Sequence, residues 1–286
     1  MNPPDFSVEV VKVELPGGPR ITVAVVPLSS VRRAWPIQSD GPISRVLTPA
    51  EIAVSGMHGV LERRLAHLAG RIAAKLALLS HLRAQGFFLE ARELGLTQMM
   101  AGPREGRPVA QLPAGVPACD VSISHSHGLA LAVVSSGGRV GVDLERVAPR
   151  SVAFLEEAFN EVERAWLEER ARFEGRTLDE LSSLGWCLKE ALVKCSGEGL
   201  RAALQQVTFE GWTELRGPRV HLAPLTEGPD AFARLVHLKV PGARESDVTG
   251  LLMLGQGYAL AVLHDAREEG VWMGEAGRFA LREASS

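Results

Sequence analysis

Apolar residues recur along this chain with two distinct periods. Val8, Val10 and Val13, then Ile21, Val23, Val25 and Val26, are β-rich runs parted by Pro16-Gly17-Gly18-Pro19, which predicts an N-terminal hairpin. Thr48-Pro49-Ala50-Glu51 offers a cap, a proline at the first helical position and an acid three residues after the cap, so a helix should start there. A longer helix is predicted from about His58 to Leu82, with Leu61, Leu65, Leu68, Ile72, Leu76 and Leu79 on its apolar side. Arg63, Arg64, Arg71 and Lys75 form a basic face beside it, for which a solvated surface is the plainer reading. Gly95 to Val116 turns to Gly, Pro, Arg and Gln, a long loop containing Gly106-Arg107-Pro108, and long loops inside compact domains are often functional. Val121 to His127 alternates apolar and polar, and Gly128 to Val134 is an apolar strand.

The pattern then repeats. Gly257-Tyr258-Ala259-Leu260-Ala261-Val262-Leu263 matches Gly128 to Val134 at five of seven positions, 129 residues on. Asn160 with Glu163 echoes Thr48 with Glu51, and Gly185 to Glu190 sits where Gly70 to Lys75 sits in the first half. Three echoes in the same order predict an α+β fold of two similar halves, residues 1–146 and 147–286, with any site at their interface. In the second half, Asn160 to Phe173 reads as a charged helix, Glu174 to Ser183 as a polar connection, and Val207–Phe209, Val220–Leu222, Leu235–Val240, Leu251–Leu254 and Tyr258–Leu263 as strands.

The densest chemistry lies between Val140 and Gly197. In Gly141-Val142-Asp143-Leu144-Glu145 the carboxylates of Asp143 and Glu145 leave one face of a strand while the apolar residues leave the other. In Trp186 to Lys194, Leu184, Cys187, Leu188, Ala191, Leu192 and Cys195 form an apolar stripe, with Trp186, Glu190 and Lys194 stacked beside it and an exit at Gly197-Glu198-Gly199. Asp143, Glu145 and Glu190 would be three hard oxygen donors suited to Mg²⁺, with Mn²⁺ as an alternative. The same residues could also be solvated strand ends and an i, i+4 helix pair.

Composition narrows the classes. With 46% hydrophobic and 23% charged residues the chain is an ordinary globular one, and a net charge of −3 without a Lys/Arg block argues against nucleic-acid binding. No run approaches membrane-spanning length, and the N-terminus lacks a leader pattern, so a cytoplasmic protein is expected. Three cysteines fit a reducing compartment, since Cys187 and Cys195 are separated by about 12 Å of helix and Cys119 stands alone. The chain has no Walker loop, no G-x-G-x-x-G and no nucleophile elbow, and the H-x-H of His125 and His127 is weak as a zinc site.

The motif pair Gly141-Val142-Asp143-Leu144-Glu145 and Trp186-Cys187-Leu188-Lys189-Glu190-Ala191-Leu192-Val193-Lys194 resembles the paired signature of the phosphopantetheinyl transferases of the Sfp type. Ser122 to Ser126 resembles that family's S-H-S strand, Arg107-Pro108 its Gly-Lys-Pro segment, and Gly70-Arg71 a helix motif of siderophore-type members. The resemblance covers about Leu47 to Gly199. It implies Mg²⁺-dependent transfer of the phosphopantetheine arm of coenzyme A to a serine of an acyl or peptidyl carrier protein, as in fatty acid, polyketide or nonribosomal peptide synthesis. By position, Asp143, Glu145 and Glu190 would hold the metal, Glu190 would act as base and Lys194 would offset charge on the leaving group. Ser124, His125, Arg107 and Lys189 would contact coenzyme A phosphates, with Arg63, Arg64 and Arg71 as additions. Arg107 stands where the family often has Lys, and Ser122 where it has Asn. A monomer is expected, with Arg164 or Arg170 as candidate carrier contacts. A Mg²⁺-dependent phosphohydrolase acting on coenzyme A, and a non-catalytic module binding coenzyme A or carrier, are the alternatives.

Overall fold

The structure, a computed structural model, describes residues 6–16, 18–101, 105–196, 207–217, 219–223, 225–244 and 247–267. The expected helix exit at Gly197-Glu198-Gly199 and the tail from residue 268 lie outside the described residues.

The first half runs β1 (Glu9–Glu14), β2 (Arg20–Pro27), α1 (Leu28–Arg33), α2 (Pro42–Val46), α3 (Pro49–Gly56), α4 (Leu61–Arg83), β3 (Gly95–Gln98), β4 (Pro108–Gln111), β5 (Asp120–Ser126) and β6 (Leu129–Ser135). The second runs β7 (Arg139–Arg146), α5 (Val152–Ala158), α6 (Glu161–Glu174), α7 (Leu178–Ser196), β8 (Gly211–Glu214), β9 (Phe232–Lys239), β10 (Val248–Gly255) and β11 (Tyr258–Asp265). The strands form antiparallel sheets in the orders β1-β2-β6-β5 and β7-β11-β10-β9-β8, with β3-β4 as a separate ribbon.

The N-terminal hairpin and the Thr48 helix start are as predicted, the latter with a full capping box. The expected loop from Gly95 to Val116 contains the β3-β4 ribbon. Helix α7 begins at Leu178, inside the stretch read as a connection, because Thr177 and Glu180 cap it reciprocally. Val207–Phe209 and Val220–Leu222 are not strands: the Phe209 N–H goes to the Glu163 carboxylate (3.1 Å) and that of Leu222 to the Thr226 hydroxyl (3.0 Å), instead of to a ladder. Strand β8 follows at Gly211. By sheet membership the second half begins at Arg139, since β7 pairs along its whole length with β11.

Helix α4 packs across β2 and β6, and α7 packs across β7 and β11, each over its own core. The opposite faces of the two sheets meet in a third core, where Val23, Val25 and Leu131 face Val142, Leu260 and Val262. The layers are therefore helix, sheet, sheet, helix, and the α+β fold of two similar halves expected from the repeat is present.

The equivalence extends to detail. Hairpins β5-β6 and β10-β11 turn on His127-Gly128 and Gln256-Gly257, all four residues having positive φ, the primed type of turn that suits twisted strands. Each turn is held the same way, by Leu28 N–H to the Gly128 carbonyl and by Val147 N–H to the Gly257 carbonyl, both 2.8 Å. Glu51 caps Thr48 and pairs with Lys75, and Glu163 caps Asn160 and pairs with Lys189. Lys75 thus corresponds to Lys189, a register one residue from the sequence echo that set it against Glu190.

At the seam β5 and β7 lie side by side without a main-chain ladder. Asp120, Ser122 and Ser124, on alternate positions of β5, accept the N–H groups of Val140, Val142 and Leu144 (2.8, 3.1 and 3.3 Å). Side chains take the place of a neighbouring strand's carbonyls and cover both sheet edges.

Candidate active site

The alternation of β7 sets the site. Val140, Val142 and Leu144 enter the inter-sheet core, so Asp143 and Glu145 leave the face on which α7 lies. Gly141 lets the helix come close, because a Cβ there would collide with the Ala191 carbonyl. That approach brings Glu190 and Lys194, one helical turn apart, over the carboxylates.

Asp143 is 5% exposed. Its Oδ1 accepts from Lys194 Nζ (2.7 Å) and the Ser124 hydroxyl (2.9 Å), while its Oδ2 is buried with no hydrogen-bond partner. Lys194 Nζ also donates to the Val142 carbonyl at 2.9 Å. Burial, followed by the Asp143 charge, raises the Glu145 carboxyl above its usual range, against the pull of Arg150 at 3.9 Å. Burial raises Glu190 likewise; Lys194 opposes this and Asp143 adds to it. Two carboxyls whose proton affinity is raised by burial and by the Asp143 charge beside them are a set that a cation would relieve.

Among the described residues no group of three His, Cys, Asp or Glu side chains is arranged to hold a metal ion as it stands. The donor chemistry nevertheless suits a hard cation, since Asp143 Oδ2 is an unsatisfied buried carboxylate oxygen and Glu145 and Glu190 are its electrostatic neighbours.

A cavity of about 600 Å³ is walled by His58, Arg63, His67, His125 and the β5-β6 turn, and His125 feels the charges of Lys194 and Asp143. A smaller one of about 210 Å³, lined by Arg71, Gln98, Gly106 and Pro108, shares His67 and His125 with it. Crowding at the wall, then the Lys194 charge, lowers the affinity of His125 for a proton. Burial and then Arg71, whose Nε donates to His67 Nε2 at 3.2 Å, lower His67 to about 4. In the second half a cavity of about 340 Å³ occupies the equivalent place, lined by Leu254 to Tyr258, Val147, Arg176 and Glu180.

The structure therefore gathers Asp143, Glu145, Glu190, Lys194, Ser124 and His125, with Arg63 and Arg71 on the adjoining cavities. Three expected phosphate contacts point elsewhere. Lys189 is wholly buried, paired with Glu163 (2.8 Å), bonded to the Ala158 carbonyl (2.7 Å) and seated over the Phe159 ring. Arg64 stacks on Trp35, 4.9 Å from the ring centre. Arg107 is taken up by Asp120 and by the last carbonyls of α7. Ser124 is in the site, but its single hydroxyl proton goes to Asp143, which makes it a holder of that carboxylate.

Sequence reasoning missed Arg150, which faces Glu145 and lies 4.7 Å over Phe154, itself packed on Trp186. It also missed His67, which a helical count places one turn before Arg71, and His58, which lies ahead of α4 and packs on the His67 ring at 4.9 Å. Burial raises the thiols of Cys187 and Cys195, so neither offers a nucleophile.

Residues 139–262 match the family model described as the 4'-phosphopantetheinyl transferase superfamily, which bears out the resemblance carried by the two motifs over that stretch. Over 108 residues the chain is 36% identical to the L-aminoadipate-semialdehyde dehydrogenase-phosphopantetheinyl transferase of Eremothecium gossypii. That alignment covers 36% of this chain and 37% of the relative, so the chain spans little more than a third of the curated protein it matches. The solved holo-[acyl-carrier-protein] synthase of Neisseria meningitidis is similar at 23% identity and a TM-score of 0.32, over 40% of this chain and 94% of that one.

Proposed function

We propose that this chain, with a phosphopantetheinyl transferase segment at its seam, transfers the 4'-phosphopantetheine arm of coenzyme A to a serine of an acyl or peptidyl carrier protein. The observation that carries this reading is the convergence of Asp143, Glu145, Glu190 and Lys194 on one another, with His125 within electrostatic reach of Asp143 and Lys194 while it lines, with Arg63, the 600 Å³ cavity.

Asp143, Glu145 and Glu190 would hold Mg²⁺, or Mn²⁺ in its place, and the cation when bound would offset charge on the diphosphate of coenzyme A. Glu190, with its raised proton affinity, accepts the proton of the carrier serine. The serine Oγ forms a bond to the β-phosphorus as the bridging P–O bond breaks, and the electron pair leaves on the phosphate of the adenosine bisphosphate. Lys194 has a third ammonium proton beyond the two given to Asp143 and Val142, and directs it at that developing charge. Arg63 and Arg71 attract the phosphates from the cavity walls.

The carrier would approach over α6. Arg170 is neutralised there by Glu174 and Glu214, which leaves Arg164, with only a 3.7 Å contact to Glu156, as the better contact for an acidic helix. All these groups come from one chain, which supports a monomer. No helix among the described residues is long and apolar enough to cross a membrane, and with three unpaired cysteines this suits a cytoplasmic enzyme.

Intact mass spectrometry of an apo carrier incubated with the protein, coenzyme A and Mg²⁺ tests the reading. A gain of one phosphopantetheine, absent with chelator, is the expected result. Cleaved coenzyme A with an unmodified carrier would replace it with a hydrolase.

A further inference from the structure

Arg107 is absent from the linings of the three cavities described above, yet it joins three parts of the site. Its Nη1 donates to the carbonyls of Lys194 and Cys195 (3.3 Å to the latter), and its Nη2 pairs with Asp120. Asp120 Oδ2 in turn receives the Val140 N–H at 2.8 Å, so the bridge ends on the strand that carries Asp143. The Arg107 side chain is only 10% exposed.

The last carbonyls of any α-helix lack intrahelical partners, and cations there also offset the negative end of the helix dipole. In α7 those carbonyls receive Arg107 and, at Ser196, Arg139 (3.3 Å). The residue whose carbonyl Arg107 holds is Lys194, whose ammonium grips Asp143. A phosphate brought to Arg107 would meet the Asp120 carboxylate and two carbonyl oxygens, all repulsive to an anion.

We infer that Arg107 is a positioning residue: together with Asp120 it fixes the last turn of α7, and hence Lys194, against β7, and it does not bind coenzyme A. This rests on the transfer reading for its kinetic consequences but not for its structural one. The geometry needs two donors spread over a fork, which glutamine lacks and lysine supplies only as a point charge.

The experiment pairs Arg107→Gln, Arg107→Lys and Asp120→Asn, measuring coenzyme A affinity by calorimetry, kcat at saturating substrate, and hydrogen exchange in the last turn of α7. Arg107→Gln should lower kcat roughly 10- to 100-fold while coenzyme A affinity stays within about twofold, because misplacing a catalytic group by about an ångström has that order of cost. Asp120→Asn should follow in the same direction, and Arg107→Lys should fall between. Amides of Val193 to Ser196 should exchange at least tenfold faster in Arg107→Gln. A tenfold loss of affinity with kcat unchanged would make Arg107 a phosphate ligand and overturn the inference, as would unchanged exchange in that turn. If the wild type transfers nothing, the functional reading fails alone, and the exchange data still decide the role of Arg107.

Discussion

Lys75 and Lys189 stand in the same pose on the two long helices, each buried and each paired, at 2.7 and 2.8 Å, with the glutamate of a capping box in its own half. Each ammonium also reaches the carbonyl two residues before the capped residue, Val46 at 3.1 Å and Ala158 at 2.7 Å. Each glutamate takes in addition the N–H of a distant segment, Leu96 at 2.9 Å and Phe209 at 3.1 Å. One ion pair thus ties a helix start, a central helix and a crossing segment together in each half.

Removing one partner leaves an uncompensated buried charge. Lys189→Met should destabilise the protein by about 3–5 kcal/mol in urea unfolding, and replacing Lys189 and Glu163 together by apolar residues should cost less than the single change. Coenzyme A affinity of the folded fraction should not move, whereas a direct phosphate contact would weaken it.

Glu190→Gln keeps the shape of the side chain but removes its ability to take a proton. Turnover should fall by about 100-fold or more, in the range general bases contribute, with the thermal midpoint unchanged or raised, since a carboxyl crowded by Asp143 is relieved. Undiminished turnover in a single-turnover assay would remove Glu190 from the role of base.

His67 makes the first half acid-sensitive. Its folded value, about 4, lies below the 6.5 of an unfolded histidine, so between those values the unfolded chain binds a proton that the folded one refuses. Stability therefore falls as pH drops from 6.5 towards 4 and is untouched above, and for this partly exposed ring the loss is about 2 kcal/mol. Urea titrations at pH 7 and pH 5 should show a smaller difference for His67→Gln than for the wild type.

Gly141→Ala tests the contact of helix on strand. The methyl group would meet main-chain atoms of Ala191 and Cys195, which cannot swing aside. A loss of about 2–4 kcal/mol is expected, together with weaker activity from a displaced Lys194.

Much of this arrangement is visible in the sequence. A period of two around Asp143 and a period of 3.6 through Leu184, Leu188, Ala191 and Cys195 place the acids and the lysine on facing surfaces, and all four of those helix residues are fully buried. Lys189 was misread because periodicity does not distinguish a cation facing a ligand from one facing a buried glutamate. The repeated cap and acid of Thr48-Glu51 and Asn160-Glu163, set in register with Lys75, would have marked it. The α7 start was missed although Thr177-x-x-Glu180 is itself a capping signature. Nothing in local pattern could show Arg107 on the end of α7 or Arg64 on Trp35, since both contacts join segments far apart in the chain.

The two matching turns have a consequence for how such a chain can change. The socket beside His127-Gly128 carries a mixture of arginine and histidines, whereas its twin beside Gln256-Gly257 holds Arg176 already bound to Glu180 and to the Asp230 carbonyl, with Glu227 nearby. At these two sockets, unlike at the buried lysines, the backbone shape matches and the side-chain wiring does not. A designer seeking a second small-molecule receptor in this scaffold would find the frame already built, and would need to rewrite a handful of charges instead of a fold.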